Sequence, residues 1–243
     1  MSFSPFTAFL LFPVMVVLLE VGRRLRLRRA TEGSNAVEGA VFALFGLLLA
    51  FTFSGATSRY DRHRQLVTEE TNDIGTAYLR LNLLPAQAQP GLRQLFREYT
   101  ASRMNIYEAV GMTISPETVR LQNAIWQQST VAAASSGANP DATKLLLPAI
   151  NDMIDITSTR QNAFNMHPPG VVFLLLYVFS CVAAFMAGYG MKAGGRDWIY
   201  TVIFAVTVTL TVYATLEIEY PRQGLIRLTE LDQGFVALRK SMQ

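Results

Sequence analysis

The feature that most constrains this chain is "AVEGAVFALFGLLLAFTFSGAT", Ala36–Thr57, a run apolar enough for lipid and free of proline. About 20 such residues in a helix cross the ~30 Å hydrocarbon layer of a bilayer. No breaker follows: the run passes straight into "SRYDRHR", Ser58–Arg64. A membrane helix is therefore expected to leave the bilayer here and to continue as the first helix of a folded polar domain. Three more windows meet the same length criterion, at Phe3–Val21, Val171–Met191 and Trp198–Glu217. With 51% hydrophobic and only 16% charged residues, the chain is too apolar for an ordinary soluble protein of this size. In the first window the positive charges follow the apolar run and no A-x-A-like site appears, so it reads as a retained helix and not a signal peptide. Its Pro5 and Pro13 are tolerable kinks.

Between the second and third windows lie about 110 residues carrying ten Lys/Arg and ten Asp/Glu, a neutral composition typical of a water-exposed domain. Apolar positions from Leu66 to Leu84 follow helical spacing until Pro85. A second helix is expected over Gly91–Val110. Ser115-Pro116-Glu117 supplies an N-cap with proline at the first helical position, opening a third helix to about Ala134. "SSGANPD", Ser135–Asp141, reads as a loop, and Asn139-Pro140 opens a last helix that "HPPG", His167–Gly170, ends before the third span. The expected fold is thus all-α. Residues 1–57 hold spans one and two with a basic loop at 22–35, residues 58–167 form an inserted helical extramembrane domain, residues 168–219 hold spans three and four, and residues 220–243 form an amphipathic tail.

Five arginines in "RRLRLRR", Arg23–Arg29, lie between spans one and two, and Lys192 and Arg196 lie between spans three and four. The bias of Lys and Arg towards short cytoplasmic loops places both loops inside and the domain on the non-cytoplasmic side of a bacterial inner membrane. The total charge of +3 is too small an excess to imply nucleic acid. Cys181 is the single cysteine, so no intrachain disulfide forms.

The stretch "LLAFTFSGATSRYDRHRQLVTEETNDIGTAYLRLNLLP", Leu48–Pro85, with Glu20-Val21-Gly22-Arg23 before it and "FREYTASR", Phe96–Arg103, after it, resembles the bestrophin-like domain family of bacterial membrane proteins. The layout of two spans, a helical domain and two spans extends the likeness over most of the chain. The family stretch after Val67 reads more like Glu-Ala-Asn-Ala where this chain has Glu70-Thr71-Asn72-Asp73, so the resemblance implies no role for the acid at Asp73. Through its distant relation to bestrophins, which are pentameric anion channels, the likeness implies a homo-oligomer with a pore lined by the second span. It also implies a cytosolic domain, against the loop arginines, and the arginines are followed here.

In span two, Phe45, Leu49 and Phe53 recur every fourth residue, a row able to form an apolar constriction that gates by dewetting; such rows more commonly face lipid or a neighbouring span. Beside it Gly46, Ala50 and Ser54 form a small row that admits close helix approach, as do Ser180, Ala184 and Gly188 in span three. Arg59 and Arg62 either anchor the helix among headgroups or, repeated around an oligomer, form a basic vestibule that concentrates anions. In span four Thr207, Thr211 and Thr215 lead to Glu219. They serve as packing glue, or line a path to an acidic mouth at Glu217 and Glu219. Glu69, Asp73, Asp152 and Asp155 share i,i+3 or i,i+4 acidic spacing, and pairing with Arg80 and Arg160 is favoured over a cation site. His63 and His167 flank the domain with no ligand partner at metal spacing. Charges within the spans are confined to their ends, at Glu20 and Glu38, which disfavours proton-coupled transport. No G-x-S-x-G, phosphate loop, dinucleotide fingerprint or H-E-x-x-H occurs, so neither catalysis nor a cofactor is expected. The expected function is an oligomeric ion channel, anion-conducting and lined by span two, with the lipid bilayer and inorganic ions as partners. The alternative is a non-conducting membrane-anchored sensor or scaffold.

Overall fold

A computed structural model of the chain describes residues 4–29, 35–105, 113–191, 198–220 and 232–243. Among these every regular element is helical: α1 (Leu11–Arg29), α2 (Asn35–Arg80), α3 (Gln89–Asn105), α4 (Pro116–Ala133), α5 (Ala142–Asn165), α6 (Gly170–Gly190), α7 (Trp198–Glu219) and α8 (Asp232–Ser241), with short 3₁₀ turns at Pro5–Leu10 and Leu81–Leu83. Four helical stretches are long and apolar enough to cross a membrane, in the regions Pro5–Arg28, Ala36–Leu83, Ala142–Gly190 and Trp198–Glu219. They match the four windows in the sequence. The basic segment around Lys192 and Arg196 and much of the expected tail lie outside the described residues, as does the far end of the helix expected to reach Val110.

The chain divides into two compact units, Met1–Tyr60 with His167–Arg227 and Asp61–Met166 with Leu228–Gln243. The first holds α1, α6 and α7 around a core of Leu11, Met15, Leu19, Phe45, Phe173, Leu176 and Val212. Along α1 and α6 two glycines let the backbones meet. A Cβ on Gly22 would fall on the carbonyl of Phe185, and one on Gly188 would fall on the carbonyl of Leu19. Ser180 and Ala184, in register with Gly188, are fully buried. The small row of span three is thus consumed inside the chain, by α1.

The second unit packs α3, α4, α5, α8 and residues 61–80 of α2 around Ile74, Leu92, Phe96, Tyr99, Ile125, Leu146 and Phe235. Local signals read from the sequence operate here as expected. Ser115 Oγ accepts from the Thr118 N–H at 3.1 Å, capping α4 ahead of Pro116. Within the expected amphipathic tail over residues 220–243, the described part is α8. α8 belongs to this unit, where Phe235 is fully buried and the Met242 carbonyl accepts from Tyr78 at 3.1 Å. Ten residues with a strongly amphipathic pattern bury their apolar face wherever a groove is offered.

Candidate functional site

Residues 35–60 of α2 belong to the first unit, and the helix passes through residues 55–64 without interruption. Only 11% of its apolar stretch is buried, against 33–39% in the other three candidate spans. With about 100° between successive residues, the exposed positions Ala43, Leu44, Gly46, Leu47, Ala50, Phe51, Phe53 and Ser54 cover roughly half of the helix surface. Phe45, Thr52 and Ala56 occupy the opposite face and are buried. The row Phe45, Leu49 and Phe53 therefore crosses from the core to the open side. Phe45 is 7% exposed and sits in the core of the first unit, Leu49 is half-buried, and Phe53 is 41% exposed. Four-residue spacing drifts around an α-helix by about 40° per step, which is why one row ends on two faces. The small row Gly46, Ala50 and Ser54 lies wholly on the open side, and a Cβ on Gly46 would meet nothing.

Where α2 passes residue 57, three side chains from three parts of the first unit converge. Arg59 donates from Nε to Glu219 Oε2 at 2.9 Å and from its terminal nitrogen to the same oxygen at 2.7 Å. His167 Nδ1 lies 3.0 Å from Glu219 Oε1, and its ring lies against that of Tyr220. The Glu219 side chain is 1% exposed, while those of Arg59 and His167 are one-third exposed. A forked, charge-assisted pair offsets the cost of burying that carboxylate. Arg59 and Glu219, read from the sequence as separate charges at a mouth, are thus partners, and Arg59 brings no unmatched positive charge. Arg62 is exposed. Glu217 is 2% exposed.

On α7 the threonine line bonds to its own backbone. Thr211 donates to the Thr207 carbonyl and Thr215 to that of Thr211, each at 2.8 Å, so these hydroxyls bond backward along their own helix.

In the second unit the buried charges differ from those the spacing suggested. Glu69, Asp152 and Asp155 are exposed, and Asp155 accepts from Asn151 at 2.8 Å. Arg80 donates to the Leu145 carbonyl at 2.6 Å. The buried cluster is Glu70, which takes Arg103 Nε at 2.5 Å and is also bonded by Arg160; the three are 0%, 2% and 3% exposed. The signal that separates Glu70 from Glu69 is its position on the stripe Leu66, Val67, Ile74 and Ala77, which faces the core. Asp73 is half-buried, and its carboxyl is raised above the ordinary aspartate range by burial first, then by Asp152 and Glu69. No group of acidic, histidine or cysteine side chains among the described residues is arranged to hold a metal ion. His63 packs near the Phe164 ring.

Four apolar helices, one of them uncovered over about half its surface, define a multi-pass membrane protein. The chain belongs to the Bestrophin-like domain family, which it matches over residues 7–231. No curated protein matches it by sequence. Among solved structures it is similar to a bacterial bestrophin homologue from Klebsiella pneumoniae, at 13% identity and TM-score 0.74, covering 98% of this chain and 96% of that one. A tryptophan-to-alanine variant of that protein gives TM-score 0.75 at 13% identity, with 98% and 95% covered. An isoleucine-to-threonine variant gives the same score and identity, with 98% and 97% covered. At this identity the likeness establishes the shared fold. Membership in the family carries the kind of function, a membrane ion channel.

Proposed function

We propose that copies of this chain assemble around an axial pore lined by α2 and that the pore conducts anions. The observation that carries this reading is the uncovered face of α2, the least buried of the four spans. A helix with an apolar and small-residue face needs a neighbour or a lumen, and Gly46, Ala50 and Ser54 suit the close approach of another helix. Phe53, on the exposed flank, is the constriction residue, with half-buried Leu49 behind it, and Phe45 holds the helix to its own subunit. Arg62 contributes positive potential at the mouth. The unit containing residues 61–166 is the extramembrane domain, placed on the non-cytoplasmic side by the arginines of Arg23–Arg29.

The test is ion flux in liposomes containing the purified oligomer. Chloride flux is expected from the wild type, with a several-fold change in Phe53→Ala, because a dewetting gate depends on the width and apolarity of its narrowest ring. Intact oligomers that pass no ions would favour the non-conducting sensor or scaffold.

A further inference from the structure

We propose that the first unit carries a binding site for one chain and the phosphate of a membrane phospholipid, in a recess between α2 and the start of α6. The recess encloses about 160 Å³, and its lining includes Leu48, Phe51, Thr52, Gly55, Val172 and Phe173, with Arg59 as its charged member. Its depth follows from the helices that form it. α2 reaches the end of its apolar run at residue 57, and α6 begins at Gly170, so the recess opens where headgroups meet hydrocarbon. Thr52 bonds back to the Leu48 and Leu49 carbonyls at 2.9 Å, which leaves its methyl group as the surface offered.

The donor geometry selects the head. Glu219 takes Nε and the terminal nitrogen Nη2 of Arg59, and both terminal nitrogens, Nη1 as well as Nη2, lie 3.3 Å from where a Gly55 Cβ would stand. Gly55 lines the recess, so the donors that Glu219 does not use lie beside it. Guanidinium groups suit phosphate oxygens in this way. An acyl chain against Leu48, Phe51 and Val172, with its phosphate on Arg59, satisfies both the apolar walls and the remaining donors. The inference rests on the membrane placement of these helices and not on conduction.

The purified full-length protein in detergent is titrated with phosphatidylglycerol or with diacylglycerol, which has the same chains and no phosphate, and read by native mass spectrometry. Phosphatidylglycerol is expected to bind about tenfold tighter than diacylglycerol, a difference of about 1.4 kcal/mol. Val172→Trp fills the recess and is expected to weaken phosphatidylglycerol about tenfold. Arg59→Lys keeps a cation for Glu219 but loses the planar fork, and is expected to bring the two lipids close to parity; this ratio can be read even where Val172→Trp does not assemble. Equal binding of the two lipids by the wild type, or unchanged binding by Val172→Trp, overturns the proposal. Displacement of phosphatidylglycerol by millimolar inorganic phosphate assigns the site to a free anion and overturns it too. So does a disulfide that forms only between subunits in a Phe51→Cys, Val172→Cys pair lacking Cys181, which would seat a second copy in the recess.

Discussion

Glu70 and Glu69 are adjacent and chemically alike, yet one is fully buried between two arginines and the other is exposed. Replacing Glu70 by Gln leaves Arg103 and Arg160 buried without their carboxylate, and breaking such a cluster costs about 3–5 kcal/mol. Glu69→Gln is expected to stay within about 0.5 kcal/mol, as for other exposed sites. Thermal unfolding of the purified protein distinguishes them, and equal shifts would contradict the cluster's role. Asp73 makes an opposite prediction. Its folded carboxyl is raised above the unfolded value by burial and by Asp152 and Glu69, so between those two values the folded chain holds more protons than the unfolded one. Its ionisation therefore lowers stability as pH rises through the folded value. Asp73→Asn is expected to raise the melting temperature at neutral pH, with the gain vanishing once pH falls below the ordinary aspartate value of about 3.9. Charge spacing alone did not reveal these roles, because i,i+3 and i,i+4 acids can lie on either side of a helix. The burial stripe through Ile74 decides, and it was already legible in the hydrophobic pattern.

At the scale of elements, α1 and α6 meet through backbone at Gly22 and Gly188. Gly188→Val is expected to destabilise by about 3 kcal/mol, the upper end for overpacking, because the obstructing atom is a main-chain carbonyl that no rotamer change can move. The corresponding change at Gly46, where a Cβ meets nothing, is expected to leave the melting temperature of the subunit fold nearly unchanged while weakening the oligomer. Comparing unfolding with size-exclusion profiles separates the two effects. The helices were legible because their signals are local: apolar length for the spans, Ser115 and Pro116 for α4, and the proline pair after His167 for the break between α5 and α6. Pairing between elements was less so. The small rows of spans two and three look alike in sequence, yet α1 covers one and leaves the other open. A motif such as small-xxx-small specifies close approach without naming the partner. The same limit applies to α8, whose amphipathic pattern fits a membrane surface or a protein groove equally well.

For the whole molecule, the remaining question of arrangement is which side of the membrane receives residues 61–166, and the charges give a definite expectation. Moving a loop that carries five arginines across the bilayer is disfavoured, whereas a long, nearly neutral domain follows the orientation its flanking spans impose. Ser136 is exposed in the segment between α4 and α5, and Cys181 is the only native cysteine. A Ser136→Cys variant with Cys181 replaced by Ala therefore presents a single thiol on the second unit. With the domain outside, a membrane-impermeant maleimide labels this thiol in intact cells whose outer membrane has been permeabilised, and labels it in inside-out vesicles only after detergent. The reverse pattern would place the domain in the cytoplasm. Arg62, three residues beyond Arg59 on the same helix, would then face cytoplasmic anions, and the vestibule reading would hold with its direction inverted. Labelling thus fixes the side from which ions enter, while flux through Phe53 variants tests whether they pass.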